Sequence, residues 1–218
     1  NVAELWAHVA AMDDLVSPAP LERWDAWSRA SDDGADAAAC REHVKAGGYM
    51  SDVDRFDPLF FGISPREAEM MDPAQRLFIE TAWACVEDAG YRASALAGSR
   101  TGVYAGVSTS GYAELCQLLR SQRSADSEMS FPFMIANRVS YLLDWHGPSE
   151  AIDTACSSSL VAIHRAVRSL RSGECDLALA GGVNIIASPS VTISLSLAGM
   201  LSGDGRCKTF DDSADGYG

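Results

Sequence analysis

The sequence predicts an α/β fold built on parallel strands. Three observations carry that prediction: a helix start at Asp72-Pro73, an apolar run at Arg100–Val107, and a strand–turn–helix–turn–strand pattern over residues 149–187. A helix joining two strands in that order is a βαβ unit, and such a crossover makes its strands parallel.

The elements follow in chain order. Residues 2–12 read as a short helix with Val2, Leu5, Trp6 and Val9 on one face. Residues 13–48 are polar and rich in Pro, Asp and Ala, which predicts a loop-rich decoration. Trp24 and Trp27 are its expected anchors, with a short helix near Ala37–Lys45. Asp72 is a good N-cap and Pro73 suits the first helical position. Leu77, Trp83, Val86 and Ala89 then recur at helical spacing, and Gly90 ends the helix. Arg100–Val107 reads as a buried strand, and Phe131–Leu143 as helix. In the βαβ unit, Ser149–Asp153 is a strand, Thr154-Ala155-Cys156 a tight turn, Ser157–Ser172 a helix, and Leu177–Ala187 the second strand. The helix carries a stripe of Leu160, Ile163, Val167 and Leu170. Its other sides are rich in Ala and Ser, so it is expected to pack closely on more than one side, between two layers.

Composition bounds the function. The chain has 218 residues, 17 basic and 30 acidic, for a formal net charge of −13. An apolar fraction of 47% is enough to build a core, which excludes global disorder. Lys45 and Lys208 are the only lysines, and no basic stretch exists to neutralise phosphates. A field this negative argues against a nucleic-acid partner and against an anionic membrane surface. The uncharged run Leu177–Gly203 is too polar and too broken by Pro and Gly for a membrane span. It reads as a buried strand, a turn and a Ser-rich segment. Six cysteines at long, irregular gaps, with no C-x-x-C pair, predict neither a zinc site nor a disulfide scaffold. No metal is therefore expected, and no G-x-G-x-x-G or Walker-type loop marks a nucleotide cofactor. A cytoplasmic location is the default.

Cys156 is where chemistry is expected. It lies where a strand ends and a helix begins, and the first backbone N–H groups of a helix lack intrahelical partners at a partly positive end. Both effects favour a thiolate, and the same donors can receive the oxyanion of a tetrahedral intermediate. The carboxyl end of a strand is also where α/β folds bind ligands. On position alone, Cys156 reads either as a nucleophile or as a small buried hydrophobe. Ser157–Ser159 read as helix-start hydrogen-bonders and packing residues.

The motif around it resembles a known family. Asp153-Thr154-Ala155-Cys156-Ser157-Ser158-Ser159-Leu160 is similar to the active-site signature of the β-ketoacyl synthases, in particular the ketosynthase domains of modular polyketide synthases. The resemblance extends through residues 54–68 (Asp-Arg-Phe-Asp-Pro-Leu-Phe-Phe-Gly-Ile-Ser-Pro-Arg-Glu-Ala) and 71–77, with Ala74 where Gln is commoner. It continues through Gly173–Val183 and Asp204–Asp211, and so covers nearly the whole chain. It implies a thiolase-like fold, layered α-β-α-β-α, of which residues 1–218 supply about the N-terminal half, in a homodimer. It further implies that Cys156 accepts an acyl chain from the phosphopantetheine of an acyl carrier protein. A malonyl-type extender then loses CO2, and its enolate attacks that thioester. No cofactor is bound by the domain itself, and the partners are the carrier protein, the remaining half of the ketosynthase and neighbouring synthase domains. Thr154, Ala155, Phe133 and Met134 fall where the family places its substrate tunnel or dimer seam, although a plain core role suits Phe133 and Met134 equally.

The resemblance also implies two catalytic histidines and a lysine in motifs beyond residue 218, so residues 1–218 alone are expected to take up an acyl group without condensing it. The histidines at hand are poor substitutes. His164 lies eight residues from Cys156, roughly 12 Å along a helix and rotated roughly 80°. His146 sits in a turn before the strand, and His8 and His43 lie in peripheral segments with no motif around them. Other readings are a thiolase or fatty-acid condensing enzyme, and a non-elongating or docking ketosynthase. Cys156 excludes the docking type that carries Gln in its place.

Overall fold

A computed structural model describes residues 2–20, 23, 24, 46–120 and 131–218. The chain divides into two compact units, Asp52–Ala187 and a smaller one of Asn1–Ser51 with Ser188–Gly218.

The larger unit is built on three parallel strands: β3 (Thr101–Gly106), β4 (Ser149–Ile152) and β5 (Leu177–Gly182). Their order is β4-β3-β5, with Val103 opposite Ser149 and Thr101 opposite Leu177. The expected βαβ unit is present, but β3 lies between its two strands, so the connecting helix α6 (Ser158–Ser172) crosses over β3.

All six residues of β3 are buried, as a strand covered on both faces must be. Val103 and Ala105 point to one face and Tyr104 to the other. The first face is covered by α3 (Pro73–Asp88) and α5 (Met134–Leu142). Their Ala74, Phe78, Ile79, Ala82 and Val86 join Ile135, Ala136 and Val139 in one core with the strand. Asp72 caps α3 as expected, its Oδ1 accepting from the Ala74 N–H at 2.8 Å, and Gly90 follows the helix with φ +80°. The expected inner face of α3 is corrected: Leu77 and Trp83 are half-buried at its margin, and Ala89 is exposed. Before α3, the short α2 (Pro65–Met70) is capped by Ser64, whose Oγ accepts from the Glu67 N–H at 3.1 Å.

The second face carries α6, which meets the sheet with its small residues. Ser158, Ala162, Ala166 and Ser169 face inward, while Leu160, Ile163, Val167 and Leu170 face out, Leu160 at 73% exposure. Glycines on the strands explain this. A Cβ on Gly106 would lie 2.8 Å from the Ser159 nitrogen, and one on Gly182 would lie 2.1 Å from Ser159 Oγ. A helix seated that close to a sheet has room for small side chains only. The expectation of packing on two sides stands as one packed side and one apolar side open in this chain. The layers present are thus α-β-α, with α3 and α5 below the sheet and α6 above it.

Two further boundaries are corrected. β5 is half-buried rather than buried and ends at Gly182, although Val183 and Ala187 still donate to Gly106 and Ser110 carbonyls. The Ser-rich segment after it contains a helix, α7 (Ser190–Leu197). Between β3 and α5 lies α4 (Tyr112–Arg120), which the sequence pattern did not predict.

The smaller unit holds α1 (Val2–Ala11), α7 and a two-residue antiparallel pair, β1 (Ser17–Pro18) with β2 (Ala46–Gly47). Val2, Leu5, Trp6 and Val9 share a face of α1 as predicted, and all are exposed. Trp24 is the expected anchor, 2% exposed and edge-on to Tyr49 at 5.7 Å. Trp27 and the helix expected near Ala37–Lys45 lie outside the described residues. Near the other end of the unit, Lys208 Nζ donates to Asp215 Oδ1 at 2.6 Å and to Asp204 Oδ1 and Ser202 Oγ at 3.0 Å. Asp204 is held below the ordinary carboxylate range by the Ser202 hydroxyl and then by Lys208. Asp215 is lowered by Lys208 first and then Ser202, and Lys208 is raised in return, chiefly by Asp215.

Two predictions come from this packing. Gly106→Ala should cost about 1–3 kcal/mol of stability, because the new methyl meets helix backbone that cannot rotate away. Gly182→Ala should cost less, about 0.5–1.5 kcal/mol, because Ser159 Oγ can change rotamer. Denaturant unfolding of the two variants checks the order; equal costs would contradict it. The Lys208 cluster gives a pH dependence. Its carboxylates are lowered in the folded state, so their contribution is present above about pH 4 and lost as pH falls through the folded values. The Lys208 contribution fails only as pH rises past about 10.4. Backbone NMR shifts of residues 202–217 should hold across neutral pH and move together below about pH 4. A transition near neutrality would contradict this reading.

Candidate active site

The site is assembled where β4 ends. Ile152 closes the strand, and Asp153 Oδ1 turns back to accept from the Ala155 N–H at 3.1 Å. Ala155 has φ +54°, the left-handed region that an L-residue enters at a cost of about 1–2 kcal/mol. Hydroxyls brace this turn from the helix side. Ser158 Oγ accepts from the Thr154 N–H at 2.9 Å and donates to the Ala155 carbonyl at 2.7 Å. Ser157 Oγ lies 2.8 Å from both the carbonyl and the Oγ1 of Thr154. The turn throws the next residue outward, and Cys156 is exposed.

The expected use of the helix N-terminus needs correction. The helix begins at Ser158, one residue later than predicted, with Ser157 at its cap. The N–H groups of Ser157 and Ser158 are already used, donating to the Thr154 and Ala155 carbonyls at 3.4 and 3.0 Å. Among the described residues, the Cys156 N–H has no such partner. The donor next to the sulfur is therefore the cysteine's own amide.

Thr154 and Ala155 are adjacent to Cys156 and exposed. Phe133 and Met134 open α5, on the opposite face of the sheet from α6. Because α5 leads through a short turn into β4, its start and the end of β4 lie at the same end of the sheet. Phe133 is 52% exposed and stacks on Phe131 at 5.2 Å, and Met134 is half-buried. The loop after β3 reaches this end too. Ser110 Oγ donates to Asp72 Oδ2 at 2.5 Å and ties that loop to the cap of α3. Tyr112 donates to the Glu69 carbonyl, and burial pushes its hydroxyl up to about 12, so it stays a protonated donor at neutral pH.

His146 and His164 stand apart from this turn. His146 pairs with Asp144 at 2.9 Å, before the start of β4 and so at the other end of that strand from Cys156. His164 is exposed on α6, and His8 pairs with Asp13 at 2.7 Å in the smaller unit. His43 lies outside the described residues. Among the other cysteines, Cys175 is buried, Cys116 half-buried, and Cys85 and Cys207 exposed. Among the described residues, no group of three or more His, Cys, Asp or Glu could hold a metal ion, and no helix is long and apolar enough to cross a membrane.

The comparisons with known proteins agree with this arrangement. Residues 1–218 match the family model of the β-ketoacyl synthase N-terminal domain. The chain belongs to the β-ketoacyl synthase family. It is 48% identical to the polyketide synthase PksN of Bacillus subtilis over 100% of its own length and 4% of that protein's. It is 46% identical to 6-methylsalicylic acid synthase of Penicillium terrestre, covering 98% of the chain and 12% of the relative. Among solved structures, the ketosynthase domain OzmH KS7 of oxazolomycin biosynthesis from Streptomyces albus JA3453 superimposes with a TM-score of 0.85 at 42% identity. That match covers 99% of this chain and 38% of the other. The ketosynthase from module 6 of the bacillaene synthase of Bacillus subtilis 168 gives 0.82 at 38% identity, covering 99% and 34%. The fold is therefore thiolase-like, and the chain is the N-terminal domain of a polyketide synthase ketosynthase.

The reading of Ser157–Ser159 as helix-start hydrogen-bonders matches the bonds of Ser157 and Ser158, whereas Asp153 and the glycines beneath the helix were not singled out. The signal for the glycines was present as Gly106 and Gly182 at strand ends.

Proposed function

We propose that Cys156 is the acyl-accepting nucleophile of a condensing enzyme. Its sulfur attacks the thioester carbonyl of an acyl chain on the phosphopantetheine of an acyl carrier protein. The carbonyl oxygen takes the negative charge, with the Cys156 N–H as one donor to it. Collapse expels the phosphopantetheine thiolate and leaves the acyl group on Cys156. A malonyl-type extender on a carrier protein then loses CO2, its enolate carbon attacks the Cys156 thioester, and the cysteine thiolate leaves. Splitting transfer from condensation divides one hard step into two. The observation that carries this reading is the exposed cysteine on a braced, left-handed turn at the carboxyl end of a parallel strand.

The groups that handle protons in the decarboxylation belong, in this proposal, to histidines and a lysine outside residues 1–218. The outward stripe of α6 seats the remaining half of the domain, completing the second sheet layer, and the complete domain works as a homodimer.

Incubation with a radiolabelled acyl thioester should label Cys156, and Cys156→Ala should abolish the label. Cys175 is buried and should stay unlabelled, so exposed Cys207 is the informative control; equal label there overturns the assignment. The seating of α6 is checked by Leu160→Gln in the complete polypeptide, which should lose about 2 kcal/mol of stability if the stripe is covered. A change within about 0.5 kcal/mol would mean that the stripe faces water.

A further inference from the structure

Ser158 is the one buried side chain among the hydroxyls that brace the turn, at 6% exposure. It grips the turn three times. Its hydroxyl accepts from the Thr154 N–H at 2.9 Å, and both that hydroxyl and its own N–H donate to the Ala155 carbonyl, at 2.7 and 3.0 Å. The Ala155 carbonyl and the Cys156 N–H belong to one peptide plane. In a trans peptide these two groups point in opposite directions. Pulling the carbonyl in toward α6 therefore turns the Cys156 N–H away from the helix, on the side where a substrate can reach the exposed cysteine. No cis peptide interrupts this geometry.

We propose that Ser158 is the positioning residue of the acyl-transfer step: by holding the Ala155 carbonyl it aims the Cys156 amide at the oxyanion formed on the incoming thioester. This deepens the reading of Cys156 as acyl acceptor and rests on it. Ser158 touches no reacting atom. It acts on the orientation of one peptide group, whose carbonyl the Ser158 N–H also holds, and its hydroxyl adds the link from that carbonyl to the Thr154 N–H. Among the described residues, the hydroxyl of Ser157, beside it, bonds only to Thr154. Ser159 lies against Gly106 and Gly182 on the sheet side.

The test uses two reactions at the same sulfur in the complete polypeptide. Alkylation by iodoacetamide is a direct displacement and forms no oxyanion. Acylation by an acyl thioester passes through one. Ser158→Ala should leave the alkylation rate of Cys156 unchanged and slow its acylation by roughly 10- to 100-fold, as a misaimed catalytic group does. Ser158→Thr, which keeps the hydroxyl, should recover most of the loss. Unchanged acylation in Ser158→Ala overturns the proposal, as does a fall in both rates by the same factor, which marks a merely structural role. If the unaltered protein is alkylated at Cys156 but never acylated, the functional reading fails first and the proposal with it. Should Ser158→Ala not fold, hydrogen exchange in the unaltered protein decides. The Thr154 amide must exchange slowly; exchange as fast as a free amide overturns the proposal.

Discussion

The close seating of α6 on β3 and β5 governs the geometry of the site. Gly106 and Gly182 leave no side chain under the first turn of the helix, and Ser159 fills the space. With the helix that low, its inward face must be Ser158, Ala162, Ala166 and Ser169, and its large apolar residues are forced outward. The strand that feeds the helix must then climb from sheet level to helix start within Asp153–Ser157. It does so through a left-handed alanine, and the residue after that alanine is exposed.

A turn of that kind holds only if neighbouring groups over-determine it. Asp153 satisfies the Ala155 N–H from below, and Ser158 and Ser157 satisfy Thr154 and the Ala155 carbonyl from above. The same bonds that make the strain tolerable consume the helix-start amides of Ser157 and Ser158. The positive end of α6 is thus spent on structure at those two amides, and the cysteine's own amide becomes the available donor. In the proposed reaction this is an advantage, because nucleophile and oxyanion donor belong to one residue and cannot drift apart.

Much of this was legible in the sequence, and the remainder was hidden for identifiable reasons. Asp72-Pro73, the β3 run and the βαβ pattern around Cys156 each rest on local chemistry, and each holds. The insertion of β3 between β4 and β5 is a non-local pairing that no period reveals. The stripe of Leu, Ile and Val on α6 and its small residues together indicate two packing sides without telling which of them meets this sheet. The decisive information lay outside the helix, in Gly106 and Gly182, which are 53 and 23 positions from Ser159 in the chain. Similarly, Leu77 and Trp83 lie at helical spacing but at the edge of the core, while Phe78 and Ile79 fill it. At the site, Cys156 was legible through its motif, whereas the role of Ser158 depends on a backbone angle at Ala155 that sequence does not express.

The most direct measurement is a crystal structure of the complete domain after exposure to an acyl thioester. The account predicts continuous density from Cys156 Sγ into the acyl carbonyl, with that oxygen about 3 Å from the Cys156 amide nitrogen. Acyl density on another residue, or a carbonyl oxygen turned away from that amide, would contradict it.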